Sequence, residues 1–457
     1  MRIGVRCEIE RGSLVTDKGV GNMRQGPFRA MLLMLAMVLA CLPLAGGASA
    51  SASASASASA GTTPGVTSTQ ITTGAISTLT GALATDLDTV APGVRAYFDM
   101  VNAQGGVDGR KLDLAYSLDD GGNPSQFSNL VRDLVSQDHV FAVTGVATDF
   151  FSPGYLAETG TPTYGFNTTG GWAGPPNLFG SDGSVQCYTC IVPHIAYVIK
   201  QAKAKSIALL AYNVSASSAL CAAADRLLTA AGYKVSYEDL SAPIDGNMAP
   251  DVQRIQQAGS DFVVSCMDLT GNISLAREIQ QYGLKVTQLW FNGYDQSAID
   301  RYQSIMQGVY FFVPTVPLTA PTKYYPGLAS YLSAMRKYEP EYVDSALAPE
   351  GWIAAALFVD GVRAAGNDLT QQRVVQLTNE ITSFNGAGLT APATLVGSHS
   401  TSARVPANFR ICSVTTRVEG TTLKPVFGNG HQVFVCLNAG AVKDPVPVSP
   451  PPGTPGT

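Results

Sequence analysis

From about Gln70 to Val442, short apolar runs alternate with amphipathic segments, and few architectures accept that alternation. Residues 71–76, 112–118, 140–144 and 162–166 have the length and composition of strands. Between the first two, residues 86–104 place Val90, Val94, Phe98 and Val101 on one face of a helix. Asn123-Pro124-Ser125-Gln126 opens another helix, with an Asn cap, Pro at the first helical position and Gln three residues after the cap. Phe127, Leu130, Val131 and Leu134 then recur at helical spacing. Strand, helix, strand in this order builds a parallel sheet with helices on both faces. A second series repeats the plan, with strands at 206–212, 261–267, 289–292 and 308–313 and helices at 216–231 and 271–282. Residues 351–365 form a long, mostly apolar helix, and 412–418 with 432–437 read as a late antiparallel hairpin. The series share a plan but no sequence repeat. The fold class is α/β, with two doubly wound lobes.

The flanks bear on where such a chain works. Residues 30–44 form an uncharged apolar run, with Arg24 and Arg29 before it and Gly46, Gly47, Ala48, Ser49 and Ala50 after it. Basic, apolar, then small is the pattern of a secretory signal, and the run is short for a membrane span. Residues 1–48 are expected to be a signal peptide, with Met23 as a start that keeps the pattern whole. Val38-Leu39-Ala40-Cys41 loosely resembles a bacterial lipobox, so membrane association through a lipidated Cys41 is one anchoring mode. Residues 49–69, opening on Ser-Ala alternation, are expected to be a flexible linker, and the Pro-rich residues 443–457 a disordered tail. Exported chains retain disulfides. Six cysteines follow the signal, and local order favours Cys187 with Cys190, Cys221 with Cys266 and Cys412 with Cys436.

Composition removes one large class of partner. Charged residues are 14% of the 457, the formal net charge is −5, and there is no long Lys/Arg run. Nucleic-acid binding runs on neutralising phosphates, so no nucleic-acid partner is expected.

In open α/β sheets, ligands sit outside the carboxyl ends of the strands. The residues after each strand are therefore the candidate site. In the first series these are Ser77 to Gly81, including Thr80; Gly145 to Asp149, including Ala147 and Thr148; and Asn167, Thr168 and Thr169. In the second they are Asn213, Val214 and Ser215; Asp268; and Gly293, Tyr294 and Asp295. The first set offers hydroxyls and backbone N–H groups to a carboxylate, and the second offers carboxylates to an ammonium group. Neither set holds Lys or Arg, which argues against multiply charged anions. The pattern suits a zwitterion. Each residue alone is as readily a helix cap, so the argument rests on their clustering in both series.

No catalytic or cofactor motif stands out. The Gly-rich residues 104–109 follow a helix and lack Gly-Lys-Ser/Thr, so they read as a helix stop and turn. Neither Gly-x-Ser-x-Gly nor His-Glu-x-x-His occurs, and His139, His194, His399 and His431 are scattered. Cys187-Tyr188-Thr189-Cys190 lacks a preceding strand, which favours a structural disulfide over a redox pair. No cofactor, no metal and no enzymatic activity are expected.

Three stretches point to a family: Ser77-Thr78-Leu79-Thr80-Gly81; Val101-Asn102-Ala103-Gln104-Gly105-Gly106-Val107-Asp108-Gly109-Arg110-Lys111-Leu112; and Asp119-Asp120 with Asn123-Pro124. Gly145, the strand at 162–166 and Thr168-Thr169 continue them. On these residues the chain resembles the branched-chain amino-acid-binding (leucine-binding) proteins of ABC importers, which are type I periplasmic binding proteins. The likeness goes on through Ala258-Gly259-Ser260-Asp261-Phe262-Val263, Gly283-Leu284 and Gly308-Val309-Tyr310 to about Val396. The resemblance implies lobes joined by three hinge crossovers, lobe one from residues 70–190 and 316–390 and lobe two from 191–315 and 391–442. It implies that the loops Ala147-Thr148-Asp149 and Thr168-Thr169 hold the ligand's carboxylate and ammonium, with Asp295 the nearest second-lobe acid. Two positions depart from the family: Asp149 stands where it has a neutral residue, and the 214–218 loop lacks its aromatic.

The expected function is extracytoplasmic capture of a small polar ligand, an amino acid or related zwitterion, and its delivery to the membrane permease of an ABC importer. A ligand sensor signalling through a partner uses the same scaffold. An exported hydrolase is a third class, for which the chain shows no nucleophile constellation.

Overall fold

The computed structural model describes residues 63–81, 84–181, 187–244, 246–399 and 405–457. The expected signal peptide, Cys41 and residues 49–62 of the expected linker lie outside them.

Lobe one is built on a five-stranded parallel sheet: β1 (Gln70–Ser77), β2 (Lys111–Asp119), β3 (Ala142–Val146), β4 (Thr163–Gly165) and β5 (Leu178–Gly180). Its order is β2-β1-β3-β4-β5. Lobe two adds β6 (Ile207–Tyr212), β7 (Val235–Ala242), β8 (Phe262–Ser265), β9 (Thr287–Trp290) and β10 (Tyr310–Val313). These are parallel in the order β7-β6-β8-β9-β10, the same winding as lobe one. β11 (Arg410–Glu419), β12 (Thr422–Pro425) and β13 (Phe434–Asn438) close that sheet in antiparallel fashion. Thus the late hairpin needs correcting. β11 does pair with β13, but β12 intervenes and takes the adjoining half of β11.

The helices are α1 (Ala84–Leu87), α2 (Val90–Ala103), α3 (Pro124–Ser136), α4 (Gly154–Thr159), α5 (Val192–Ala202), α6 (Ser215–Ala230), α7 (Ala249–Ala258) and α8 (Leu269–Gln281). α9 (Gln296–Met306), α10 (Pro326–Tyr338), α11 (Ala348–Ala365) and α12 (Gln371–Asn379) complete them. The helix expected over 86–104 breaks at Asp88-Thr89 into α1 and α2. Val90, Val94, Phe98 and Val101 do share the buried face of α2. Asn123 caps α3 as expected, its side chain accepting hydrogen bonds from the Ser125 and Gln126 N–H groups.

The strands are apolar on both sides because both sides are covered. Along β6, Ile207, Leu209 and Ala211 pack with α5 and α6, while Ala208, Leu210 and Tyr212 face α7 and α8. The chain crosses between lobes after β5, after β10 and before β11, so α10, α11 and α12 pack in lobe one against α2, β3 and β4. Residues 391–395 stay with lobe one, where Ala393 pairs with Phe384 and the Leu395 N–H donates to the Ile381 carbonyl.

The Pro-rich end is not the free tail expected. The Val448 N–H donates to the Cys436 carbonyl at 2.8 Å, and Thr454 is only 2% exposed. The physical reason is the open edge of β13, whose backbone groups this extended segment covers.

All three expected disulfides are present. Cys412 and Cys436 face each other across the β11–β13 ladder, and Cys221 ties α6 to the end of β8 through Cys266. Closing the chain between Cys412 and Cys436 restricts the unfolded state, so replacing both by Ser should cost about 3 kcal/mol. Urea unfolding under non-reducing conditions checks this.

Candidate functional site

Each lobe has a switch point where the connections after two neighbouring parallel strands leave toward opposite faces of the sheet, at β1/β3 and at β6/β8. A cavity of about 430 Å³ lies where these carboxyl ends meet. That size is ordinary for a small-molecule site. Its wall is mostly apolar, with Leu87 and Phe166 from lobe one and Leu220, Phe291 and Phe312 from lobe two. Residues 390–395 of lobe one, the start of β11 and Pro451 also reach it.

Of the residues selected from sequence, Asp149, Asn167, Thr168, Asp268 and Tyr294 line the cavity. Thr80, Ala147, Thr148, Thr169, Ser215 and Asp295 do not. Most of these six have local work to do. Thr80 donates its hydroxyl to Asp119 at 2.6 Å, and Ala147 is fully buried. The Thr148 hydroxyl accepts from the Phe150 N–H and from Thr78, which also donates to Asp120 at 2.8 Å. Asp295 caps α9, accepting from the Ala298 N–H and the Ser297 hydroxyl. Ser215 is exposed at the start of α6, and the neighbouring Ala216 and Ser217 reach the cavity instead. Thr169 precedes a short 3-10 turn, and its hydroxyl is buried with no hydrogen-bond partner.

The lining residues are held firmly. The Thr168 hydroxyl donates to the Thr148 carbonyl at 3.1 Å, which joins the β3 and β4 loops. Its own carbonyl accepts from Tyr188 at 3.0 Å, in the turn closed by Cys187 and Cys190. In lobe two, Asp268 caps α8 by accepting from the Gly271 N–H, and it accepts from the Tyr212 hydroxyl at 2.6 Å. Ser217 is fully used, receiving the Tyr212 N–H and donating to the Cys266 carbonyl.

One acid escaped the sequence reading. Asp86, on α1, lines the cavity beside Leu87. Pro92 was the available signal, because Pro favours the first turn of a helix and so marks a start near Val90, not Asp86. The break lets α1 lean onto α8 of the other lobe. Burial, then the nearby Asp295, Asp268 and Asp88, push the Asp86 carboxyl from an ordinary 3.8 up to about 7. Burial, and next the charge of Asp268, raise Asp149 to about 6, with the nearby Thr168 hydroxyl acting in the opposite sense. Carboxylates from both lobes thus repel one another across a largely apolar cleft.

The residues can enclose and orient a solute. The four histidines stay dispersed: His194 is buried against the Val435 carbonyl, and His431 stacks on Tyr324. Among the described residues, no three His, Cys, Asp or Glu side chains gather into a metal cage, and no helix is long and apolar enough to cross a membrane.

The family model described as periplasmic binding protein matches residues 70–416, both lobes included. The chain belongs to that family. Over 201 residues it is 28% identical to the Leu/Ile/Val-binding protein homolog 3 of Brucella melitensis, covering 42% of this chain and 53% of the relative. The match thus spans about half of that relative's length. Among solved structures, a branched-chain amino acid ABC transporter protein of Thermus thermophilus with bound valine superimposes with a TM-score of 0.67 at 17% identity, over 79% of this chain and 96% of the other. A fatty acid ABC transporter substrate-binding protein of Thermomonospora curvata gives 0.66 at 16% identity, over 86% and 97%. These likenesses show the fold. The periplasmic binding protein family comprises substrate-binding proteins that act outside the cytoplasm, and here its two-lobed fold sets the cavity at the crossovers.

Proposed function

We propose that this periplasmic binding protein captures one small organic solute in the 430 Å³ cleft and delivers it to the permease of an ABC importer. The observation that carries this reading is the cleft itself, lined from both lobes at their two switch points. Hinge closure of two lobes about three crossovers is the motion such a cleft allows. In this reading Asp149 and Thr168 contact the solute from lobe one, and Asp268 and Tyr294 from lobe two. Thr148, Thr169 and Asp295 stand behind them as supports. The relatives whose names mention leucine, isoleucine, valine or fatty acid support an organic solute with an apolar body. The protein binds and releases this solute unchanged.

A solute that binds only the folded protein must raise its unfolding temperature in proportion to the logarithm of its concentration above Kd. Thermal unfolding of residues 61–457 against amino acids, amines, amides, small carboxylates and sugars is expected to single out one chemical class. At about one hundred times Kd the gain is about 2.7 kcal/mol, which shifts the midpoint by several degrees. A flat response to every class would remove the solute-binding reading.

A further inference from the structure

The charge on the cavity wall is lopsided. Asp86 and Asp149 reach it from lobe one and Asp268 from lobe two. Among the described lining residues the answering cation is Arg410 alone, exposed at the start of β11. Further acids stand behind the wall: Asp88 and Asp120 in lobe one and Asp295 in lobe two. Two loop hydroxyls chosen for a carboxylate are spent on the protein, Thr78 on Asp120 and Thr168 on the Thr148 carbonyl.

A second feature of the wall is independent of the acids. Ser181 and Ser398 both line the cavity, each is 4% exposed, and neither hydroxyl has a hydrogen-bond partner. A buried hydroxyl left unpaired is unfavourable. Both residues belong to the wall of one cavity, where a solute group that reaches them would supply the missing partner.

Resting on the binding-protein reading above, we infer that the cleft selects a solute of net positive charge, a protonated amine on an apolar body. A cation among the three aspartates gains from each of them in a site largely walled off from water. It also lets both lobes close without bringing bare carboxylates together, so it favours the closed form over the open one. A zwitterion adds a carboxylate, for which Arg410 is the one cation among the described lining residues. An anion must first see the aspartates protonated, as the raised values of Asp86 and Asp149 allow only in mild acid.

The test uses one apolar body in three charge states: 2-phenylethylammonium, phenylalanine and 3-phenylpropanoate, titrated calorimetrically into residues 61–457. At about pH 8 the ammonium compound should bind about tenfold more tightly than phenylalanine, and more tightly still than the propanoate. Lowering the pH to about 5.5 should weaken the ammonium and strengthen the propanoate as the aspartates take up protons. Asp86→Asn and Asp149→Asn should each lower ammonium affinity about tenfold without lowering the unfolding midpoint. Ala216→Lys places a cation on the wall without touching an acid, and should reverse the preference toward the propanoate. Equal or tighter binding of phenylalanine or the propanoate at about pH 8 would overturn the charge inference and leave the binding-protein reading standing. Failure of all three to bind would also overturn it, and the wider thermal panel then decides the binding-protein reading separately.

Discussion

Gly351→Ala should destabilise the protein by about 3 kcal/mol or more, and Gly93→Ala by a similar amount. The two glycines sit where α2 and α11 touch. A methyl group on Gly351 would lie 1.8 Å from the Val90 carbonyl oxygen, and one on Gly93 would lie 1.9 Å from that of Ala348. Both neighbours are helix backbone, so no rotamer change relieves the clash and the helices must part. Parting them opens the surrounding contacts, including the edge-on pair of Tyr97 and Trp352 at 4.8 Å. The better helix propensity of Ala returns about 1 kcal/mol at most. Gly154→Ala is the control, since a methyl group there meets nothing within 4 Å. It should change stability by less than about 0.5 kcal/mol. Urea midpoints of the three variants check both statements, and a stable Gly351→Ala protein would contradict the packing described for lobe one.

Acid should stabilise the ligand-free protein near neutrality. In the folded state Asp86 holds its proton up to about pH 7, and Asp149 up to about 6, whereas the unfolded chain releases both near 3.8. Between those values the folded state binds more protons, so stability falls as pH rises and recovers as pH is lowered. Asp86→Asn keeps the size of the side chain and removes the charge. At about pH 8 it should raise stability by about 1–2 kcal/mol, a fraction of the full shift because water in the cleft screens the charge. The gain should shrink as pH falls below about 7 and vanish at about pH 4, where the unfolded carboxyl is protonated as well. Thermal unfolding of both proteins across this range is the measurement. A variant that gains nothing at about pH 8 would mean that Asp86 is well hydrated and not part of the cleft wall.

Much of this was legible where local chemistry decides structure. The Asn123 cap and the buried faces of α2 and α3 follow from side chains that act within one or two turns. The two series of strands showed because parallel strands covered on both sides read as apolar runs. β7 was missed for the converse reason. Its residues Val235–Ala242, VSYEDLSA, lie half-exposed at the sheet edge, and two acids and two serines interrupt the apolar signal. β5 is only three residues long and carries no periodicity. In the site, loops after strands pointed to Asp149, Asn167, Thr168, Asp268 and Tyr294 on the cavity wall. The same rule also collected Thr80 and Thr148, because a hydroxyl that ties two loops together looks in sequence like one offered to a ligand. Asp86, Ser181, Ser398 and Pro451 reach the cavity through a helix break, two crossovers and a folded-back tail. Such placements depend on contacts between distant segments, which no local pattern encodes.

The central claim is that one solute binds in the cleft between the lobes. Ala216 lines that cleft from the first turn of α6, and Ala216→Trp should fill it from a half-exposed position without disturbing the core. The decisive measurement is a calorimetric titration of the strongest ligand from the thermal panel into the native protein and into Ala216→Trp. The account predicts one site per chain in the native protein, and affinity at least about a hundredfold weaker in the variant at an unchanged unfolding midpoint. Undiminished binding by a folded Ala216→Trp protein would place the solute elsewhere and contradict the claim.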